Sequence, residues 1–216
     1  MKNRFYLGNS AYPDLDNYKV PFDSRQSLWG EVMVDVGSCK GDFLKKHHER
    51  FTECFAFEAS YENAIYIAQR IQEEEWNNCV VFNHAVAGKT GEIRTLYACD
   101  SKDRGSSSII GGSSHNGNQH NVLTINYEDI FKFLNVEEIS LLKVDCEGCE
   151  YEFLLNVDLT KVNVMCLEIH DWEGKSDLQE SLINHIEKTH ETFHSQEVAQ
   201  TADGKYHGIK VYKRRE

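Results

Sequence analysis

Basic residues are scarce in this chain: 23 lysines and arginines stand against 35 aspartates and glutamates, a formal charge of −12 over 216 residues. Nonspecific nucleic-acid binding draws most of its affinity from lysine and arginine on phosphates, so that class is argued against, and anionic membranes are disfavoured likewise. Long apolar runs are missing too. No segment approaches the roughly 20 apolar residues of a bilayer span, and the opening MKNRFYLGNS has no apolar signal core behind its basic residues. An intracellular, cytoplasmic protein is the expectation. A disulfide framework is also lacking: the cysteines (Cys39, Cys54, Cys79, Cys99, Cys146, Cys149, Cys166) are odd in number and mostly sit inside apolar runs, which fits a reducing compartment. There is no G-x-G-x-x-G phosphate-binding fingerprint and no internal repeat.

What is present is alternation. With 40% hydrophobic residues, one domain with a single core is expected. A polar opening holds both prolines, Pro13 and Pro21. EVMVDVG (31–37) then reads as an apolar strand ending in a glycine turn, followed by helical periodicity. CFAFEA (54–59) is a second strand, with a helix from about Ser60 to Glu75, and CVVFNHAVAG (79–88) a third. GEIRTLYAC (91–99) is a fourth extended piece. The Gly/Ser/Asn-rich stretch 103–121 is too polar for the core and is expected to be a lid or binding loop. YEDIFKFL is a short helix, ISLLKVD a strand, GCEYEFLL a helix, VNVMCLEIH a strand, and a helix runs from about Asp177 to Thr189. ETFHSQEV and GIKVYKRRE read as two strands joined by a turn at ADGK (202–205). Such alternation predicts a mostly parallel sheet with helices on both faces, closed by a terminal hairpin.

Ligands of such sheets bind beyond the carboxyl ends of the strands. Asp35 and Gly37 end the first strand, Glu58 the second, Asn83 and His84 the third; Asp145 and Glu147 follow the fifth, and Glu168, His170 and Asp171 end the sixth. The first turn, VDVGSCKGDF, spaces Gly37 and Gly41 as G-x-x-x-G, allowing close approach of a ligand where a side chain would intrude. By itself this pattern also fits an ordinary strand-to-helix turn. Glu58, at the end of the next strand, is placed to accept both hydroxyls of a ribose. A nucleoside cofactor without a phosphate loop, in an acidic pocket, suggests S-adenosylmethionine.

The series VDVGSCKGDF, FAFEAS, VFNHAVAGKTGE and LLKVDCEGCEYEFL resembles the FkbM family of S-adenosylmethionine-dependent O-methyltransferases over roughly Val32 to His170. Its K-x-D-x-E-G-x-E and N-x-A-V-x-G blocks are far more specific than the glycine turn. The resemblance implies a Rossmann-like class I methyltransferase fold with a mostly parallel seven-stranded sheet and an antiparallel C-terminal hairpin. It also implies methyl transfer to a hydroxyl of a sugar or other natural product, with S-adenosylhomocysteine as the product. Residues 31–216 would form the methyltransferase domain and 1–30 an N-terminal extension or cap that, with the region after Asp171, shapes substrate choice. Asp35, Gly37, Ser38, Gly41, Glu58, Ala59, Asn83, His84, Ala85, Asp145 and Glu147 are the expected cofactor residues; Glu147 could instead cap the following helix.

The C-x-x-C at Cys146 and Cys149 admits a redox reading, but Asp145, Glu147 and Glu150 would raise the thiol pKa values, and no second cysteine or histidine pair completes a zinc site. Both thiols are expected to be small apolar fillers. Lys143 and Asp145 share a strand face, as do Glu168 and His170, and a charge buried there must be paired. The expected catalytic group is His170 as general base, oriented by Glu168 or Asp171, with Asp145 as its competitor or as holder of the acceptor hydroxyl; a structural ion-pair network of Lys143, Asp145 and Glu168 is the plainer alternative. Asp145, Glu147, Glu168, His170 and Asp171 could also hold Mg²⁺ or Mn²⁺, but nothing in the spacing demands an ion, and a metal-free site is expected. His47, His48, His185, His190 and His194 read as packing or solvent-facing. Arg104 and Ser106 to Ser108 could close over a ligand, and Tyr12, Tyr18 and Trp172 could stack on a sugar. The expected acceptor is a sugar, a terminal deoxyhexose such as rhamnose on a glycan, in association with a glycosyltransferase. A methyltransferase-like binding module without activity is the noncatalytic alternative.

Overall fold

The computed structural model describes residues 30–98, 107–110, 118–171, 176–198 and 206–216. Residues 1–29 of the expected cap (1–30), Tyr12, Tyr18, Arg104, Ser106, Trp172, the side chain of Asp171 and the 202–205 turn lie outside the described residues. A seven-stranded sheet runs in the order β3 (Cys79–Phe82), β2 (Phe51–Phe57), β1 (Gly30–Val36), β7 (Ile139–Val144), β8 (Val162–Asp171), β10 (Tyr206–Arg214), β9 (His190–Val198). The first five strands are parallel; β10 lies antiparallel between β8 and β9. This is the predicted Rossmann-like sheet, with its hairpin closing one edge.

Strand alternation sorts the core into two layers. Val34, Val36, Leu142 and Leu167 point to one face, where α3 (Tyr127–Leu134), α4 (Glu150–Leu154) and α5 (Ser176–Ile186) supply Ile130, Phe153 and Leu182. Met33, Leu141 and Val164 point to the other, against Leu44 of α1 (Asp42–His47) and Ile67 of α2 (Tyr61–Glu73). Because both faces are covered, the central strands are near-continuous apolar runs. Local chemistry sets the helix starts: the Ser60 Oγ accepts the Asn63 N–H at 3.4 Å, and the Asn126 Oδ1 accepts the Asp129 N–H at 2.8 Å.

Three expectations change. The third strand is broken at Asn83 and His84, so that β4 (Ala85–Val86) leaves the main sheet. The fourth extended piece, β5 (Ile93–Tyr97), also stands apart, in a small sheet ordered β4, β6 (Gln119–Ile125), β5. The polar stretch is not wholly a loop: Ser108 bridges Tyr97, Ile109 is buried in the core, and β6 begins at Gln119. Its polar composition hid these features because β6 buries only Val122, Thr124 and Ile125, and its strand character comes from pairing with β5. No helix among the described residues is long and apolar enough to cross a membrane.

Candidate active site

The strand order reverses between β1 and β7, and a cleft opens at the carboxyl ends of the strands there. β1 is followed by Gly37, whose N–H donates to the Phe57 carbonyl at 2.9 Å, while the Asp145 N–H donates to the Val36 carbonyl at 3.2 Å. The two strand ends are therefore in direct backbone contact, which leaves no space for a side chain at position 37. Gly37 has φ +69° and Gly41 +75°, and between them Cys39 adopts φ +51°.

That turn delivers the Cys39 N–H to the Oε2 of Glu58 at 2.7 Å, while the Oε1 of Glu58 accepts the Ser60 N–H at 2.7 Å. Glu58 is 6% exposed, and burial pushes its pKa up to about 7 against the pull of these amides and of Lys143. Two backbone donors thus fix the carboxylate at the cleft wall. Each oxygen keeps a further lone pair. Asn83, expected to touch the cofactor, instead donates from Nδ2 to the Glu58 and Ala59 carbonyls at 2.9 Å each and braces the end of β2.

The predicted residues divide into two layers. Gly37, Glu58, Ala59, His84, Ala85, Asp145 and Glu147 line the cleft. Asp35, Ser38, Gly41 and Asn83 are not among the lining residues. Asp35 is fully buried opposite Lys143 in the β1–β7 register, with Oδ1 3.2 Å from Nζ, and the Ser38 hydroxyl donates to the Asp35 carbonyl at 2.8 Å. Lys143 also donates to the Gly37 carbonyl at 2.7 Å and lies 3.8 Å from the Asp145 carboxylate. It holds the first turn against β7 through the Gly37 carbonyl and the Asp145 carboxylate, two groups of the cleft wall, and is not itself among the lining residues.

His170 sits deeper than the cleft wall. It is 3% exposed and lies outside the cleft lining, behind the K-x-D-x-E-G-x-E turn. Its Nδ1 donates to Glu150 Oε1 at 2.9 Å, and its Nε2 faces Glu147 at 3.4 Å, with Asp145 and Glu168 each at 3.9 Å. Burial works against the charged ring, but Glu150 first, then Glu147 and Asp145, outweigh it and hold the pKa up at about 10. This surrounding favours the imidazolium form, in which both ring nitrogens carry protons and neither has a lone pair to accept another. Sequence reasoning also missed Glu150, treating it only as a neighbour of the thiols. It is fully buried, and its Oε1 accepts the Cys146 and Gly148 N–H groups at 3.2 Å each, the helix-start role considered for Glu147. Its signal lay in the spacing: a third acid at the first position of a helix next to a histidine-bearing strand.

The thiols behave as fillers. The Cys149 Sγ donates to the Cys146 carbonyl at 2.9 Å, and burial, reinforced by nearby carboxylates, raises both thiol pKa values. Asp145, Glu168 and His170 bring one donor atom each within 4.8 Å of one another. A divalent ion there would compete with the imidazolium for the same carboxylates and would require its Nε2 proton to leave. On the opposite wall, Leu96 and the segment 107–110 cover the cleft through Ser107 and Ile109, and the Ser108 hydroxyl donates to the Glu147 carbonyl at 2.7 Å.

Comparison with known proteins bears on the fold and the family. None of the curated proteins is a significant match to the sequence. Among solved structures, an FkbM methyltransferase from Methylobacillus flagellatus KT superposes with a TM-score of 0.54 at 12% identity, over 91% of this chain and 48% of that one; the chain spans about half the length of that neighbour. TrmK from M. capricolum, in complex with S-adenosylhomocysteine, gives 0.54 at 6% identity over 97% and 70% of the two chains. An rRNA methylase from Streptococcus thermophilus gives 0.52 at 9% over 87% and 88%. At such identities these likenesses speak for the fold. The family is carried by the sequence itself, which matches the model of the methyltransferase FkbM domain over residues 35–196, so the chain belongs to the FkbM methyltransferase family.

Proposed function

We propose that the protein transfers a methyl group from S-adenosylmethionine to a hydroxyl of a sugar, with a terminal deoxyhexose of a glycan as the acceptor class. The observation that carries this reading is the cleft's two-ended chemistry. At one end Glu58, fixed by two backbone amides, offers paired oxygens to a ribose beside Gly37, whose backbone lines the cleft. At the other end Asp145 and Glu147 present negative charge, which suits the sulfonium of the cofactor and a neutral polyhydroxy acceptor better than a phosphorylated one. The formal charge of −12 speaks against a nucleic-acid acceptor.

The cofactor, when bound, supplies an electrophilic methyl group. The chain's part is to hold ribose and acceptor, so that the oxygen meets that methyl in line, and to take the hydroxyl proton. The N-terminal thirty residues and the region after Asp171 are proposed to select the acceptor, and a glycosyltransferase that builds the glycan is the proposed companion.

The test is calorimetric titration with S-adenosylhomocysteine, with and without Mg²⁺, followed by mass-spectrometric screening of methylated sugars. Glu58→Gln is expected to weaken binding about tenfold or more, since a charged acceptor for two hydroxyls is lost. Wild-type affinity is expected to fall as pH drops below about 7, where Glu58 gains a proton, and the variant to lose that dependence. Absence of binding by the folded protein would favour the inactive-module reading, and methyl transfer to a non-sugar hydroxyl alone would move the acceptor to other natural products.

A further inference from the structure

Proton removal is a separate question from methyl supply, and it rests on the hydroxyl-methylation reading above. The group that takes the proton must face the cleft. His170 does not: it is buried, one ring nitrogen is engaged by Glu150 and the other is turned toward carboxylates. Asp145 and Glu147 do face it. Asp145 lies between two cations, 3.8 Å from the Lys143 Nζ and 3.9 Å from the His170 Nε2, and serves to balance both. Among the described residues, Glu147 faces one cation, His170 at 3.4 Å.

The turn that carries Glu147 is built to aim it. Glu147 has φ +54°, a left-handed conformation that costs a residue with a side chain about 1 kcal/mol or more, and Gly148 follows at φ +102°. The strain is held from both sides. Glu150 Oε1 accepts the Cys146 and Gly148 N–H groups, and the Ser108 hydroxyl donates to the Glu147 carbonyl from across the cleft.

We propose that Glu147, and not His170, accepts the proton of the acceptor hydroxyl, and that His170 is a buried cation that positions it. As the hydroxyl oxygen's lone pair forms the new O–CH₃ bond, the S–CH₃ bond breaks with its electron pair passing to sulfur. The hydroxyl proton goes to a carboxylate oxygen of Glu147 and from there to water in the open cleft. A base suits this task when its pKa lies near working pH, and burial, opposed by His170, brings Glu147 to about 7. Among the described residues, the charged groups facing this pair are Asp145 at the end of β7, with Lys143 beside it, Glu150 on α4 and Glu168 on β8.

The experiment compares the full-length wild type with Glu147→Gln, Glu147→Asp and His170→Gln. Single-turnover methyl transfer as a function of pH is one readout and S-adenosylhomocysteine affinity a second. A third needs neither cofactor nor acceptor: carboxyl ¹³C and imidazole ¹⁵N NMR titration of the resting protein. Glu147→Gln is expected to lose about 100-fold or more in rate and the acid limb of the profile, with cofactor affinity held within a few-fold. Glu147→Asp should restore part of the limb. His170→Gln should keep a limb but move it to higher pH, because the cation that lowers the Glu147 pKa is gone. In the resting wild type, a Glu147 carboxyl should titrate near 7 while both His170 nitrogens stay protonated through pH 8. A neutral His170 ring at pH 7, or a limb that survives Glu147→Gln and vanishes in His170→Gln, would overturn the proposal. If S-adenosylhomocysteine did not bind at all, the methyl-transfer reading would fall, and the NMR titrations would still decide whether this pair is arranged as stated. Should His170→Gln fail to fold, the two Glu147 variants carry the test.

Discussion

Alanine at Gly37 is expected to abolish cofactor binding and to destabilise the fold by more than about 4 kcal/mol, an exceptional value for a single methyl group. A Cβ built there would lie 1.7 Å from the Asp145 carbonyl oxygen and 2.7 Å from its carbon. Both are backbone atoms pinned by hydrogen bonds, Gly37 to Phe57 and Asp145 to Val36, so relief requires β1 and β7 to separate at the switch point. The left-handed φ of +69° adds strain whatever the space. Gly91 separates these two effects: it has φ +81° but nothing within 4 Å of a Cβ, so Gly91→Ala should cost only about 1 kcal/mol. Denaturant unfolding of both variants decides the matter. Equal losses would mean that backbone torsion alone, and not the β1–β7 contact, dictates glycine at position 37.

Lys143→Met is expected to remove about 3–5 kcal/mol, because it strips the cation from a fully buried Asp35 and leaves the Gly37 carbonyl without its donor. For a chain of this size that corresponds to a fall in Tm of roughly 10 °C or more. The pH dependence has a definite sign. Burial already raises the Asp35 pKa above its unfolded value, and loss of Lys143 raises it further. A carboxyl group with a raised folded pKa favours the folded state most when protonated, below its unfolded pKa, and that contribution is lost as pH rises through the folded value. The deficit of Lys143→Met should therefore be smallest near pH 4 and grow toward neutrality. Asp35→Asn added to Lys143→Met should recover much of the loss, since no uncompensated charge remains. A single-variant deficit below about 1 kcal/mol at pH 7.5 would show that solvent or backbone shifts already serve Asp35.

Much of this was legible in the sequence, for local reasons. Period-two patterning placed Lys143 with Asp145 and Glu168 with His170 on shared strand faces, and the apolar runs at 31–37 and 139–144 could only be strands covered on both sides. The order of elements, the helix started at Ser60 and the terminal hairpin follow from the same signals. The strand in 119–125 was not legible, because only three of its seven side chains are buried and its partner β5 supplies the reason to extend.

The site divides along the same line. By itself the sequence determined which residue types reach the carboxyl end of the sheet: Gly37, Glu58, Asp145, Glu147, Glu168 and His170 all stand at strand ends, and strand ends follow from pattern. Only the tertiary structure decided which of them face the cleft. Sequence distance says nothing of the 2.9 Å between His170 and Glu150, and it is that contact, in a water-poor interior, that turns a histidine of ordinary pKa into a cation. Burial and proximity are properties of the packed sheet, and they set both the protonation and the roles of these side chains.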